Sequence, residues 1–370
     1  MHLTERWFGP DDPVQLKHLR QIPRLEGIVS GLYDLQAGEA WPEDRIARLR
    51  ESVEAQGLKL SAIESIPVHD AIKLGTAERD GYLDAYRRSI AAVARAGTQV
   101  VAYNWMPIVD WMRTRVSVPL PDGSTGLGYD EADLRGIDGV EAVRRLPGWT
   151  LRSPQELRSL VDAYARLGSE GLWETLAYFL DAMLPAAEAC GVRLALHPDD
   201  PPWPVLGLPR IITDAAALQR VASLSPNRAN GFTFCSGSLG ANPANDLPAM
   251  IRQLGNRIHF AHVRNILRRG PRSFVECAHA TGSLNLLEVM RALAEVGFSG
   301  PLRADHGRRI WGERRNGPGY GLYDRALGLS YLSGLWEGIT RRGTQFYEPL
   351  KADPNYIHAV GAQPRAGAVS

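Results

Sequence analysis

Two hydrophobic rhythms alternate along most of the chain. Short runs rich in apolar and β-branched residues, ERWFG, EGIVSGL, LSAIESI, QVVAYNW, RLALHP, GFTFCSG, IHFAHVRN and LRADH, read as eight strands. Between them lie segments of helical period: a short one after Pro13, then residues 43–56, 79–96, 154–190, 214–224, 245–254, 285–296 and 320–337. Eight of each in alternation predict βα units around a parallel sheet, an α/β architecture that closes as a single (β/α)8 barrel. Glycines stand where the helices must stop, at Gly57, Gly97, Gly191, Gly255 and Gly297, shortly before the next strand.

Two stretches break the rhythm. Residues 112–153 contain VPLPDGSTGLGYDEAD, with little periodicity, between the fourth strand and its helix. They are expected to form a long loop insertion over the active face, where long βα loops of a barrel lie. Residues 348–370 read as a frayed C-terminal tail, which leaves 1–347 as the barrel domain.

Composition narrows the function classes. With 44% hydrophobic and 22% charged residues, the chain can bury a large core in one domain. The 42 lysines and arginines balance 41 acidic residues, so the net charge of +1 gives no global attraction to nucleic acid or to an anionic membrane. An anionic ligand must be held locally. The polar start MHLTERWFGPDDP lacks a signal-peptide core, and no segment approaches the roughly 20 apolar residues of a membrane helix. A cytoplasmic homo-oligomer acting on a small molecule is expected. The three cysteines are too few for a disulfide framework. Cys190 reads as a buried inert thiol and Cys277 as a structural thiol in a loop after the seventh strand.

Barrel chemistry gathers at the C-terminal strand ends. The fifth strand ends in His197, the sixth in Cys235, the seventh in His262 and the eighth in Asp305, followed by His306. The period of two puts His262 on one face with Phe260 and Arg264, and turns His259 toward a helix. Two imidazoles, a thiolate and a carboxylate from neighbouring strands can close around a divalent ion and leave positions open for substrate oxygens; ligand type alone points first to zinc or ferrous iron. Asp199 and Asp200, flanked by prolines, read as turn or cap residues. His306, and Tyr320 after a glycine-rich loop, are the acid and base candidates. Glu64, Asn104, Arg264, Asn265 and Arg308 are candidate substrate contacts.

The stretches RWFGPDDPV, IESIPVH, YNWMPIVDWMRT, LALHPDDPP, GLPRI, GFTFCSGSLGA, NDLPAM, IHFAHVRN, ADHG and GPGYG, in this order, resemble the mannonate dehydratases of the hexuronate pathway, from Arg6 to about Gly334. The resemblance implies a xylose-isomerase-like TIM barrel that dehydrates D-mannonate to 2-keto-3-deoxy-D-gluconate with Mn2+ or Fe2+. It puts the metal ligands on His197, Cys235, His262 and Asp305, and the acid and base on His306 and Tyr320. One stretch departs from the expected pattern: GLYDLQAGEAW stands where a His-His-Ile-Pro turn is expected, so Tyr33 and Asp34 would alter hydrogen bonding at the mouth, and the carboxylate would repel a sugar acid. Smaller departures are Ala304 for proline and Asn285 for aspartate.

In the elimination this implies, a phenol acidified by the metal field or a nearby arginine would let Tyr320 take the C2 proton while His306 protonates the leaving hydroxyl; the reverse division is open. A metal-dependent sugar or sugar-acid isomerase or epimerase, a dehydratase of another aldonate, and a non-catalytic barrel that binds sugar acids are the competing readings.

Overall fold

In a computed structural model that describes residues 1–137, 153–313 and 317–340, the strands in chain order are β1 (His2–Arg6), β2 (Leu25–Ser30), β3 (Lys59–Glu64), β4 (Val100–Asn104), β5 (Arg115–Pro119), β6 (Thr125–Asp130), β7 (Arg193–His197), β8 (Asn230–Cys235), β9 (Ile258–His262), β10 (Asn265–Gly270), β11 (Ser273–Cys277) and β12 (Pro301–Arg303). Eight of them close a barrel in the order β1, β2, β3, β4, β7, β8, β9, β12, with every neighbouring pair parallel and β12 returning to β1. These are the eight strands expected. The tail at 348–370 and residues 138–152 of the insertion lie outside the described residues.

Side-chain alternation sorts each strand into two cores. Ile28, Ile63, Val101, Tyr103, Leu194, Leu196 and Phe232 point outward and pack in a large cluster with the helices. Val29, Ala62, Val100, Ala102, Ala195 and Phe260 form a separate small cluster that fills the barrel interior. Mostly small residues suit a closed eight-stranded barrel, which has little room inside. The same inward register continues upward to Glu64, Asn104, His197, Cys235 and His262 at the strand ends. The Phe260 ring lies edge-on beneath His262, with centroids 4.5 Å apart, and so forms a floor for that imidazole.

Helices cover the outside at the expected places, and the five stop glycines all adopt positive φ, between 54° and 79°. The helix Pro154–Ala189 is broken at Gly168 (φ 66°). A short helix, Asp70–Leu74, was not expected; five residues carry too little periodicity to be read. Cys190 corrects the expectation of a buried thiol. It is exposed, at the helix end just before Gly191, where the chain turns at the surface.

The insertion is more ordered than its composition suggests. β5 and β6 form a hairpin, β6 pairs with β11, and β11 with β10, so the segments after β4 and β9 make one antiparallel accessory sheet. Gly126 and Gly128 read as loop formers, yet they serve close strand approach. A Cβ on Gly126 would come within 2.1 Å of the Glu276 carbonyl oxygen, and one on Gly128 within 2.6 Å of Val118. Cys277 belongs to β11 rather than a loop. Its thiol donates to the Thr281 carbonyl (2.7 Å) and is pushed up to about 12 by burial, as befits a structural thiol.

His259 faces outward as its register requires and is buried, with Nδ1 donating to the Leu194 carbonyl (3.1 Å). Burial, then the charge of Arg193, holds it down to about 4 from an ordinary 6.5. The unfolded chain therefore binds a proton that the folded one resists, so this contribution to stability is present above the ordinary value and is lost as pH falls toward 4. Denaturant unfolding should show His259→Asn removing about 2 kcal/mol of the stability lost between about pH 7 and about pH 5; an unchanged pH slope would contradict this.

Candidate active site

The inward residues at the tops of the barrel strands meet in one layer. His197 Nδ1 donates to the Pro198 carbonyl (2.7 Å), which leaves Nε2 as a lone-pair donor facing His262 Nδ1 at 3.2 Å. A ring nitrogen of each histidine and the Cys235 sulfur all lie within 4.8 Å of one another. Cys235 Sγ accepts from the Ser238 amide (3.4 Å) and hydroxyl (3.1 Å). On the far side of the His262 ring, Nε2 lies 3.1 Å from Arg303 Nε and 3.4 Å from a Glu64 carboxylate oxygen, and these two outer contacts hold the imidazole in place.

Asp305 comes up beside this group, two residues beyond the short strand β12 and with φ at 65°. Its Oδ2 is 3.6 Å from Cys235 Sγ and its Oδ1 3.7 Å from His262 Nδ1. Both oxygens are also ion-paired, Oδ1 with Arg303 (2.8 Å) and Oδ2 with Arg264. Burial works against its charge, but Arg303, His306 and Arg264 hold the carboxyl well below its ordinary range. Glu64 is kept ionised in the same way, by Arg303, His262 and Arg6.

His306 and Tyr320 lie side by side, with His306 Nε2 3.1 Å from the phenolic oxygen. The other ring nitrogen donates to Glu276 of β11 (3.0 and 3.1 Å). Burial pushes the Tyr320 phenol up, against the pull of Arg6 and Arg303, so the acidified phenol expected from sequence is not what the protein environment favours. Arg325 fixes the tyrosine's backbone. It donates to the carbonyls of Gly321 (2.8 Å) and Tyr320 (3.0 Å) and pairs with buried Glu5 (2.8 Å).

A small cavity of about 80 Å³ sits above the layer, lined by His197, Asp305, His306 and Tyr320 together with Arg6, Glu64, Asn104, Arg264 and Arg303. Of the expected substrate contacts, Glu64, Asn104 and Arg264 thus reach it. Asn265 and Arg308 do not line it. The Asn265 amide binds the His279 and Leu284 carbonyls, and Arg308 is taken by Asp324 and Asp122. Arg6, Arg303, Trp111 and Asp200 also line the cavity and were not selected as site residues. Arg6 and Arg303 stand at the ends of β1 and β12, where the same alternation that turns the histidines inward turns them to the cavity. Asp200 is neither a turn nor a cap residue. It forms a bidentate pair with buried Arg113 (2.9 Å to each oxygen) and a third bond to Arg264 (2.9 Å).

Asp34 does not charge the mouth. It is a surface residue paired with Arg45 (2.7 and 2.8 Å) and lies outside the cavity lining, so the expected repulsion of a sugar acid has no structural basis. Tyr33 instead approaches Arg6 Nε (3.3 Å) and the Glu64 carbonyl (3.4 Å). Asn285 caps its helix through Glu288 N (3.2 Å), as the expected aspartate would, and the Ala304 carbonyl accepts from His279 Nε2 (2.9 Å).

The profile of the D-mannonate dehydratase family matches residues 1–345. The chain belongs to this family. It is 49% identical over 345 residues to mannonate dehydratase 2 of Halalkalibacterium halodurans, covering 92% of this chain and all of that one. It is 48% identical over 355 residues to the mannonate dehydratase of Thermotoga maritima, covering 92% and 98%. The crystal structure of mannonate dehydratase from Streptococcus suis serotype 2 superposes with a TM-score of 0.86 at 44% identity, over 92% of this chain and 95% of that one. D-psicose 3-epimerase from Clostridium cellulolyticum H10, at 11% identity and TM-score 0.54, over 92% and 100%, shares the fold alone. Among the described residues, no helix is long and apolar enough to cross a membrane.

Arg113 is fully buried against two carboxylates, Asp200 and Glu276. Replacing it by methionine leaves both short of a partner and is expected to cost roughly 3–5 kcal/mol in urea unfolding. A loss under about 1 kcal/mol, the scale of a surface pair, would show that Arg264 alone balances them.

Proposed function

We propose that this chain dehydrates D-mannonate to 2-keto-3-deoxy-D-gluconate and water, with a divalent ion, Mn2+ or Fe2+, held by His197, Cys235, His262 and Asp305. The observation that carries the reading is the inward convergence of His197, Cys235 and His262, with His197 lining the same cavity as His306 and Tyr320. The family match over nearly the whole chain supports the same substrate. Two imidazoles, a sulfur and a nearby carboxylate are a donor set that fits a divalent transition ion, with room on the cavity side for substrate oxygens. When bound, such an ion supplies Lewis-acid stabilisation of the charge that grows on the substrate carboxylate as the C2 proton leaves.

The protein supplies the proton transfers. The C2–H bond breaks, its electrons form the C2–C3 double bond, and the C3–O bond breaks with the hydroxyl leaving as water. The enol then takes a proton at C3 and becomes the 2-keto acid. Because burial keeps the Tyr320 phenol protonated, Tyr320 is suited to give a proton to the leaving C3 hydroxyl. His306 Nε2 is the group placed to accept the C2 proton, with Nδ1–H engaged by Glu276. Arg6 and Arg303, already at the cavity wall, bind and orient the anionic sugar acid, and Asn104 contributes a polar contact.

An epimerase would return the C2 proton and retain the C3 oxygen, whereas a dehydratase yields a 2-keto-3-deoxy acid. In metal-loaded protein, His306→Ala and Tyr320→Phe are each expected to lower the rate of keto-acid formation at least about 100-fold, with bound metal unchanged. Full activity in both variants would contradict the assignment.

A further inference from the structure

The accessory sheet reaches the barrel mouth through the side chain of Glu276. This residue lies on β11 opposite Ile266 of β10 and is almost wholly buried. Its two carboxylate oxygens stand 3.0 and 3.1 Å from His306 Nδ1. An ionised carboxylate can only accept, so the contact places the proton on Nδ1. That leaves Nε2, on the cavity side and 3.1 Å from Tyr320, as the nitrogen free to exchange protons.

Glu276 is itself held rigidly. Arg113 donates to its Oε1 through Nε (3.0 Å) and Nη2 (2.6 Å), and Arg264 Nε lies 3.6 Å from the same oxygen. Gly126 of β6 packs against its carbonyl so closely that no side chain would fit there. The Trp111 ring meets His306 at 5.5 Å between centroids. Ring and carboxylate are thus both fixed by residues of the segments that follow β4 and β9, outside the barrel itself.

We infer that Glu276 is a positioning residue for the elimination: it sets the tautomer and ring orientation of His306, so that Nε2 faces the substrate. The accessory sheet is then part of the proton-transfer apparatus and more than a cover. The inference rests on the reading of His306 as the group that moves the C2 proton.

The test uses the full chain, metal-loaded, with D-mannonate as substrate and bound metal measured for every variant. Glu276→Gln keeps the shape but offers an amide to Nδ1, and is expected to lower kcat about 100-fold while KM changes less than about threefold and metal content stays constant. Glu276→Asp, which restores the carboxylate, should recover at least about tenfold of that loss. Nitrogen NMR of the unmodified protein, with the His306 signals assigned by their absence in His306→Ala, should show the ring proton on Nδ1. A folded, metal-loaded Glu276→Gln with kcat within about twofold of the parent, or a neutral His306 protonated on Nε2 alone, overturns the inference. Full turnover by His306→Ala would instead overturn the assignment of His306 on which it rests.

Discussion

The structure depends on the pairing of charges that water cannot reach. Arg113, Arg264 and Arg303 are almost entirely buried, and so are Asp200, Glu276 and Asp305. An ion in such a place is tolerated only when an opposite charge and hydrogen bonds replace its lost hydration. Each guanidinium here touches two or more carboxylates, and each carboxylate two or more partners. The lattice therefore joins segments that are distant along the chain. Arg113 comes from the insertion after β4, Asp200 from the segment after β7, Arg264 from the link between β9 and β10, and Glu276 from the accessory sheet. None can shift without leaving another unpaired.

That rigidity is what the proposed chemistry requires. A site that stabilises growing charge works best when its dipoles and ions are already in place and need no reorganisation. The small interior cluster of the barrel provides a floor, the inward strand ends provide the donor group, and the charge lattice holds Asp305 and His306 above it. Tyr320 is fixed separately, through the hold of Arg325 on its backbone. His306 and Tyr320, the two groups proposed to move protons, thus arrive from different supports and meet at 3.1 Å.

Much of this was legible in the sequence, for a simple reason. Strand alternation has a period of two, so once eight strands were recognised, the inward residue at each end followed from counting. His197, Cys235 and His262 were found that way. Arg6 and Arg303 obey the same rule and reach the same cavity. Glu276 and Arg113 could not be counted to. They lie 163 residues apart in the chain and meet only through an antiparallel sheet whose glycines resemble loop formers. Asn265 and Arg308 failed in the opposite sense: the residue types suit a sugar acid, but Leu284, His279, Asp324 and Asp122 engage them first. Asp34 misled for the same reason, since its charge is answered by Arg45, eleven positions along.

The most direct measurement of the central claim is keto-acid formation from D-mannonate by chelator-stripped protein, before and after addition of Mn2+ or Fe2+. A metal-dependent dehydratase built on His197, Cys235 and His262 predicts no 2-keto-3-deoxy-D-gluconate from the stripped protein and its appearance once either ion is restored. Undiminished dehydration by protein shown to be free of metal, or no dehydration at any metal loading, would contradict it.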